Sequence, residues 1–363
     1  MLLQSLLLLL TAGFLASPLT LMAEETIVDT ASARHCDGPS CPTCEEPACC
    51  DIERHDDVWV ISSRCAPCCI DGQEAARPTL SFRRFDEAAG VWRKASADEF
   101  FAGEDAQLPT TFWVHGDRIE DDEVLDVGMS VYERLVECQA VERIRFVIWS
   151  WSASTVHPVR PYQDARVKGN NALADGYRLG WVLARMPQQT QVSFIGYSFA
   201  GRVILGAMHG MGGGLVRGHS PLMDGQQPGP PRYSVVIFVA AVDNHWLEPG
   251  QRFDMAPSQA RQMLLLYNTC DRILKRYPKI CGGCALGYTG IPNIGALGEH
   301  AERIDELDVC CILGPQHRWR NYVYSNTVMP MIREYGLPMA EVTTTGSTEL
   351  EVDAADPAPA IGG

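Results

Sequence analysis

The sequence has no excess of basic residues. Its 363 residues include 30 Lys and Arg against 45 Asp and Glu, which gives a formal net charge of -15. A nucleic-acid-binding protein normally presents a basic patch, and none stands out here, so we expect no nucleic-acid partner. No internal repeat is visible either. A hydrophobic content of 46% is enough for one large core.

A long uninterrupted apolar run is also missing. The chain opens with an apolar stretch, but Pro18 interrupts it, and the basic residues usual at the start of a signal peptide are absent. We predict a signal peptide over residues 1–23, with cleavage after Ala16 or Ala23. A single membrane anchor is the alternative. Export to the periplasm, the cell envelope or the extracellular space follows from the first interpretation.

The last segment of the chain has few large apolar residues. Residues 341–363 hold five acidic residues and no basic one. Such a composition cannot bury a core, so we predict a disordered acidic tail over residues 337–363.

Cysteine is abundant, and its abundance fits export. Eight of the fourteen cysteines lie between Cys36 and Cys69. We predict a Cys-rich arm over residues 24–57, held by disulfides, and expect any contact with the cell envelope to be made there. The pairs "CPTC" and "CAPC" also have the spacing of a zinc site, and "CAPC" has that of a redox motif.

Apolar strands alternate with helical patterns over residues 58–336. Strands are predicted at "VWVISS", "LSFRRFD", "GVWRKAS", "TTFWVHG", "IRFVIWSW", "VSFIG", "SVVIFVAAVD", "MLLLYNTCD" and "IDELDVCCI". This alternation predicts an α/β fold, with a mostly parallel central sheet flanked by helices on both faces. Ligands of such sheets bind at the carboxyl ends of the strands. The Gly/Pro-rich residues 211–232 are a long loop, either a lid or a disordered excursion.

The stretch "GYSFAG" places a serine between a strand and a helix. Ser198 follows the strand "VSFIG", and Gly196 and Ala200 stand two residues before and after it. Small residues are needed there because the strand-to-helix turn is tight. We therefore predict Ser198 as a nucleophile. The similar "RGHSP" around Ser220 has no preceding strand.

A nucleophilic serine needs a base and an acid that orients the base. His317 lies in "LGPQHRWRNYV", after the last predicted strand, which is the expected place for the base. His300 lies in a polar run and is expected to be solvated. Asp271 follows the strand "MLLLYNTCD" and is the favoured acid, with Asp243 as the alternative.

The dipeptide "HG" after a strand supplies the remaining part of the site. We expect the backbone N–H of Phe199, together with that of Asp117 or Gly116, to bind an oxyanion. His115 is expected to be a structural hydrogen-bonding residue. Tyr197, Trp149 and Trp246 are candidates for an apolar substrate pocket.

With these motifs in view, the chain resembles the α/β-hydrolase superfamily. Within it, the chain is similar to a bacterial group of unassigned function, through "WVHGDRIED", "GYSFAGRV", "VAAVDNHWL", "LYNTCDRIL" and "PQHRWRNYV". The resemblance covers about residues 58–336. It implies the fold and a serine hydrolase mechanism with Ser198, Asp271 and His317 as the triad. It leaves the Cys-rich arm unexplained.

The sequence therefore predicts an exported serine hydrolase that cleaves a small-molecule or lipid ester and requires no metal or organic cofactor. The alternative is a non-catalytic envelope scaffold or interaction protein on the same fold. Because loops after neighbouring strands lie close together, we also predict a disulfide between one of Cys270, Cys281 and Cys284 and one of Cys310 and Cys311.

Overall fold

A single mixed sheet organises the part of the chain that the structure describes. This computed structural model describes residues 54–139, 142–156 and 159–338. The strands in this part are β1 (Asp57–Ser62), β2 (Ser81–Asp86), β3 (Val91–Ala95), β4 (Thr110–Val114), β5 (Arg145–Ser150), β6 (Val192–Tyr197), β7 (Tyr233–Phe238), β8 (Ala260–Tyr267) and β9 (Ile304–Asp308). Their order across the sheet is β3-β2-β1-β5-β4-β6-β7-β8-β9.

The pairing of the strands is mostly parallel. Every neighbouring pair from β1 through β5, β4, β6, β7 and β8 to β9 is parallel, whereas β2 is antiparallel to both β1 and β3. The central strands β4 to β7 are buried along their whole length, which explains their unbroken apolar sequences. The predicted fold class is confirmed.

Helices cover both faces of this sheet. The α-helices are α1 (Gly72–Ala76), α2 (Ala97–Ala102), α3 (Val124–Val136), α4 (Pro161–Arg185), α5 (Ala200–Met211), α6 (Ala256–Gln259), α7 (Pro278–Cys281), α8 (Leu286–Thr289), α9 (Cys310–Leu313), α10 (Trp319–Val323) and α11 (Met329–Gly336). Shorter 3-10 turns occupy Glu104–Gln107, Leu274–Arg276 and Ile294–Arg303. Successive strand residues point to opposite faces. Gly196 accordingly faces Ile204 of α5, while Ile195 faces Gly336 of α11.

Two elements differ from the sequence-based prediction. The strand predicted to run through "SVVIFVAAVD" ends at Phe238, because Val239 adopts a φ of 46° and turns the chain. The helical spacing of "NNALADGYRLGWVLARM" predicts a helix from residue 170, but the helix begins earlier, at Pro161. A proline in the first turn is favourable there because its missing N–H would have no helical partner.

The described residues belong to one compact unit of the chain, Cys49–Gly363. They include the predicted domain at residues 58–336 apart from the gaps. The predicted signal peptide (1–23), nearly all of the Cys-rich arm (24–57) and residues 339–363 of the predicted tail lie outside the described residues. Among the described helices, none combines the length and apolar character needed to span a membrane.

Candidate active site

Ser198 lies in a sharp turn between β6 and α5. The strand ends at Tyr197 and the helix begins at Ala200, so two residues make the turn. Ser198 has a φ of 57°, in the left-handed region that residues other than glycine rarely adopt. This conformation costs about 1–2 kcal/mol, so its surroundings must hold it in place. A serine held in this way at a strand-to-helix turn has the geometry of a nucleophile elbow.

Backbone hydrogen bonds from the neighbouring strand hold Ser198. Its N–H donates to the carbonyl of Phe238 at 3.1 Å, and its carbonyl accepts from Ala241 N–H at 3.0 Å and Gly201 N–H at 3.1 Å. Ala241 can reach this carbonyl because the chain has already turned at Val239. The early end of β7 therefore helps to hold Ser198 in its turn, because it brings Ala241 N–H to the Ser198 carbonyl.

Small residues around Ser198 are required by close packing. A Cβ on Gly196 would lie 2.5 Å from Ile204, and one on Gly201 would lie 2.9 Å from Val242. Even a Cβ on Gly196 would lie 3.4 Å from the Ala200 methyl group, which is an ordinary contact distance, so alanine at position 200 does not crowd this side of the turn.

The predicted base and acid meet at this turn. His317 Nε2 lies 3.2 Å from Ser198 Oγ, and His317 Nδ1 lies 2.6 Å from Asp271 Oδ2. Asp271 is completely buried, and its other oxygen accepts hydrogen bonds from Ile273 N–H at 2.8 Å and Leu274 N–H at 2.9 Å. With Nδ1–H donated to Asp271, Nε2 is free to accept the Ser198 proton. Such a chain can transfer a proton from a hydroxyl to an imidazole.

A buried asparagine, which the sequence analysis did not single out, joins the acid and base loops. The Asn268 side-chain amide donates to the carbonyls of Gly314 at 2.8 Å and Gln316 at 3.2 Å, just before His317. Its side-chain oxygen accepts from Cys270 N–H at 2.9 Å, next to Asp271. Asn268 thus fixes the two loops relative to each other.

A pair of cysteines also joins the loop that carries Asp271 to the segment before His317. The sulfurs of Cys270 and Cys310 lie at disulfide bonding distance, with the Cα atoms 5.3 Å apart. This is one of the pairs that the sequence analysis predicted. Cys281, Cys284 and Cys311 are exposed free thiols.

Asp243, the alternative acid, does not reach His317. It lies five residues beyond the end of β7, and its carboxylate is 3.4 Å from His245 N–H. Its backbone forms a bridge with Ala285. Because the chain turns at Val239, Asp243 does not follow a strand as predicted, and its carboxylate caps a local turn.

The predicted oxyanion donors surround the serine turn. Gly116 packs so closely against Tyr197 that a Cβ would lie 2.9 Å from the Tyr197 carbonyl, so the loop after β4 lies beside the turn. Within the described part of the chain, the backbone N–H groups of Gly116, Asp117 and Phe199 donate to no protein acceptor. Unpaired backbone donors beside a nucleophile can bind a developing oxyanion.

His115 is a structural residue, as the sequence analysis expected. It is completely buried, its Nδ1 lies 2.8 Å from the carbonyl of Gly116, and its Nε2 accepts from Trp151 N–H at 3.3 Å. The Trp151 indole N–H in turn donates to the His115 carbonyl at 2.7 Å. Burial, followed by the nearby Arg64 cation, lowers the pKa of His115 to about 3. The imidazole is therefore neutral and orients the loop that carries Gly116.

This depressed pKa predicts a pH dependence of stability. Unfolded His115 titrates near pH 6.5, so its contribution is complete above that pH and is lost as the pH falls toward 3. Between pH 7 and pH 5, wild type should lose about 2 kcal/mol of unfolding free energy more than His115→Gln does. Urea denaturation at both pH values measures the difference. Equal losses in the two proteins would contradict the assignment.

A fully buried lysine, which the sequence analysis also missed, holds the loop that carries the predicted oxyanion donors Gly116 and Asp117. Lys168 Nζ lies 2.7 Å from Asp117 Oδ1 and 2.7 Å from Asp164 Oδ2. Asp164 Oδ1 in turn accepts from Val156 N–H at 2.8 Å. Burial raises the pKa of Asp117, and the Lys168 cation opposes this rise. One cation therefore connects the loops that follow β4 and β5.

The three aromatic residues proposed for a substrate pocket have different positions. Trp149 is completely buried in β5, so it belongs to the core and cannot line an open pocket. Tyr197 packs against the His317 ring at 5.4 Å. Trp246 is half-buried in the loop after β7, where its ring lies under Arg202.

The loop at residues 211–232 packs away from Ser198. It begins at the end of α5, about 18 Å along the helix axis from the serine turn. Pro221 packs against Gly180 and Gly210, and His219 lies 6.1 Å from the Tyr177 ring. The loop therefore covers the distant ends of α4 and α5, and the lid interpretation is not supported.

No metal centre is seen where the chain is described. No group of three or more His, Cys, Asp or Glu side chains in residues 54–139, 142–156 and 159–338 is arranged to hold a metal ion. Of the two cysteine pairs with zinc-site spacing, "CPTC" lies outside these residues, and Cys65 and Cys68 of "CAPC" are exposed free thiols.

Comparisons with known proteins do not identify a family for this chain. A scan against protein-family models finds no match, and a search of curated proteins finds none. Among solved structures, the chain is similar to acyl-protein thioesterase 2 from Zea mays, with 14% sequence identity and a TM-score of 0.33. The match covers 63% of this chain and 94% of that chain. A likeness at this level carries no argument about function.

Proposed function

We propose that this protein is an exported serine hydrolase of the α/β-hydrolase superfamily that cleaves carboxylic esters through an acyl-enzyme. The observation that carries the proposal is the hydrogen-bonded chain from Ser198 through His317 to Asp271, with distances of 3.2 Å and 2.6 Å. The left-handed conformation of Ser198 supports it, because a strained serine persists only where its surroundings fix it. The substrate is a small-molecule or lipid ester.

The mechanism follows from these contacts. Ser198 Oγ attacks the ester carbonyl while His317 Nε2 takes its proton, and Asp271 stabilises the imidazolium that forms. The N–H groups of Phe199 and of Asp117 or Gly116 bind the oxyanion. His317 then protonates the leaving alkoxide, and the acyl group stays on Ser198. Water, deprotonated by His317, then attacks the acyl-enzyme, and His317 returns this proton to Ser198 Oγ as the bond to the acyl group breaks and the acid is released.

A fluorophosphonate probe tests the proposal directly, because it reacts with activated serines. The wild-type protein should be labelled and should hydrolyse p-nitrophenyl esters, whereas Ser198→Ala should do neither. Ser220→Ala is the matched control and should behave like wild type, because Ser220 lies in the loop packed on α4 and α5. A folded wild type that is neither labelled nor active would favour the scaffold alternative.

The ion pair between Lys168 and Asp117 predicts an effect on turnover. Asp117→Asn keeps the backbone N–H but weakens the bond that orients it, so kcat should fall about 10- to 100-fold with little change in KM, since an oxyanion donor acts mainly in the transition state. Steady-state kinetics with a p-nitrophenyl ester measures both constants.

The matched control is Asp121→Asn, which changes an exposed carboxylate of the same loop. It should leave kcat within a factor of about 2, because the Asp121 carboxylate is exposed and its partner Arg64 has further hydrogen bonds to Ser150, Ser154 and Ile119. A rise in KM alone in Asp117→Asn would show instead that Asp117 acts in substrate binding.

Export is the second part of the proposal. It is supported by the apolar first 23 residues and the fourteen cysteines of the sequence, and by Cys270 and Cys310 at disulfide bonding distance. Fractionation of cells that express the full chain, with mass determination of the mature protein, tests it. Loss of residues 1–16 or 1–23 is the expected result, and retention of the full chain in a membrane fraction would favour an anchor.

A further inference from the structure

A buried arginine without a counterion lies one helical turn beyond Ser198. Arg202 is 4% exposed. Its Nε donates to the Ala241 carbonyl at 2.9 Å, and its Nη2 donates to the Tyr277 hydroxyl at 2.8 Å and the Cys281 sulfur at 3.0 Å. Among the described residues, no carboxylate pairs with it. Because an unpaired buried charge is strongly unfavourable, this environment suits an anion that the chain itself does not provide.

One end of this guanidinium has no protein acceptor. Arg202 Nη1 makes no hydrogen bond within the part of the chain that the structure describes. A Cβ on Gly169 of α4 would lie 2.6 Å from Nη1, so only glycine lets the guanidinium occupy this position. Nη1 is therefore an unpaired donor at the end of a buried side chain that is held between α4 and α5.

A second arginine lies over the same indole ring. The guanidinium carbons of Arg202 and Arg252 lie 5.0 Å and 4.6 Å from the centre of the Trp246 ring. Arg252 is exposed and makes no hydrogen bond or ion pair with any described residue. Partial burial, followed by the charges of Arg202 and Arg217, lowers the pKa of Arg252, whereas Tyr277 and the Asp243 carboxylate oppose this shift. Two like charges are thus held together in a chain whose net charge is -15.

This arginine pair is close to the proposed nucleophile. Ala241 connects the two, because its N–H donates to the Ser198 carbonyl at 3.0 Å and its carbonyl accepts from Arg202 Nε at 2.9 Å. The Phe199 ring, next to Ser198, lies 5.0 Å from the Arg202 guanidinium. The arginine pair therefore lies beside the turn that holds Ser198, because Ala241 anchors both.

We propose that Arg202, Arg252 and Trp246 form an anion-binding subsite, so that the substrate is an ester that carries a carboxylate or a phosphate group. This inference rests on the proposed hydrolase function and specifies its substrate class. Arg202 provides the buried donors, Arg252 provides a second, exposed charge, and the Trp246 ring holds both guanidinium groups in place by cation–π contact.

Matched esters and direct binding test the subsite. The kcat/KM for p-nitrophenyl hemiglutarate should exceed that for p-nitrophenyl valerate by about 10-fold or more, since hydrogen bonds to charged groups are among the stronger ones. Calorimetry with glutarate and with inorganic phosphate measures binding without hydrolysis and shows which anion is preferred. Arg202→Gln should lower the ester ratio and the affinity about 10- to 100-fold. Arg252→Gln should lower both about 2- to 5-fold, a smaller effect because its charge is exposed.

The control is Arg93→Gln, which removes an exposed arginine paired with Asp86 on the hairpin of β2 and β3. It should leave the ratio and the affinity unchanged. If Arg202→Gln does not fold, Arg252→Gln alone decides the question.

The outcomes separate the two proposals. Neutral ester hydrolysis without anion preference or anion binding would overturn the subsite and leave the hydrolase standing. Glutarate or phosphate binding that depends on the two arginines, in a protein that hydrolyses no ester, would support the subsite and overturn the hydrolase. Anion binding that is unaffected by either substitution would also overturn the subsite.

Discussion

Replacing His317 by alanine is expected to lower kcat for ester hydrolysis by about 10⁵- to 10⁶-fold, and Ser198→Ala by a similar factor. Without the imidazole, Ser198 Oγ has no acceptor for its proton, since His317 Nε2 is the group that lies 3.2 Å from it. The double variant should be no slower than either single variant, because members of one proton-transfer chain act as a unit. KM should change little, since the oxyanion donors and the arginines near Trp246 remain. Single-turnover and steady-state kinetics give these values.

The matched histidine control is His300→Ala. His300 lies in the 3-10 segment Ile294–Arg303, ahead of β9, and its Nδ1 lies 4.0 Å from Glu299 Oε1. Its loss should leave kcat unchanged. If the Ser198 and His317 effects instead multiplied in the double variant, the two residues would act independently, and the triad assignment would be wrong.

The sequence predicts the serine, the acid and the base because each is defined by local signals. Ser198 needs a buried strand before it and small residues around it, and Asp271 and His317 each follow one of the last strands. The common carboxyl edge of a parallel sheet then brings these loops together. No separate knowledge of distant contacts is needed for that inference.

Lys168, Asn268 and Arg202 could not be found in the same way. Their roles depend on burial and on contacts between distant parts of the chain, such as Asn268 with Gly314, 46 residues apart. The Asp164–Lys168 spacing is visible in the sequence, but that spacing usually marks an exposed ion pair on a helix. Its burial arises only when α4 packs against the loops that follow β4 and β5.

The error in the predicted end of β7 also arises because a local sequence pattern does not show tertiary packing. An apolar sequence cannot show where a strand stops if the chain remains buried after it turns, as it does at Val239. That error also misplaced Asp243, which seemed to follow a strand and instead lies in a turn. The earlier start of α4, in contrast, had a local signal in Pro161, which the apolar pattern from residue 170 did not include.

Asp271→Asn is expected to lower kcat about 10⁴-fold. A loss of this size is typical when a catalytic histidine is held in the wrong tautomer. The reason lies in the two carboxylate oxygens. Oδ1 of Asp271 accepts from Ile273 and Leu274 N–H, so an amide oxygen must occupy that position, and the NH₂ group must then face His317. His317 Nδ1 would have to accept from this NH₂ group, which moves the ring proton to Nε2. An Nε2 that carries a proton cannot take one from Ser198.

The control for this substitution is Asp243→Asn, which tests the alternative acid. This substitution should leave kcat unchanged, because the Asp243 carboxylate contacts the backbone N–H of His245 and does not contact the imidazole ring of His317. Fluorophosphonate labelling should slow strongly in Asp271→Asn and remain at the wild-type rate in Asp243→Asn. The opposite pattern would assign the acid to the loop after β7. Since the two aspartates lie in the segments that come after the neighbouring strands β7 and β8, this pair of variants decides which segment carries the third member of the proposed triad.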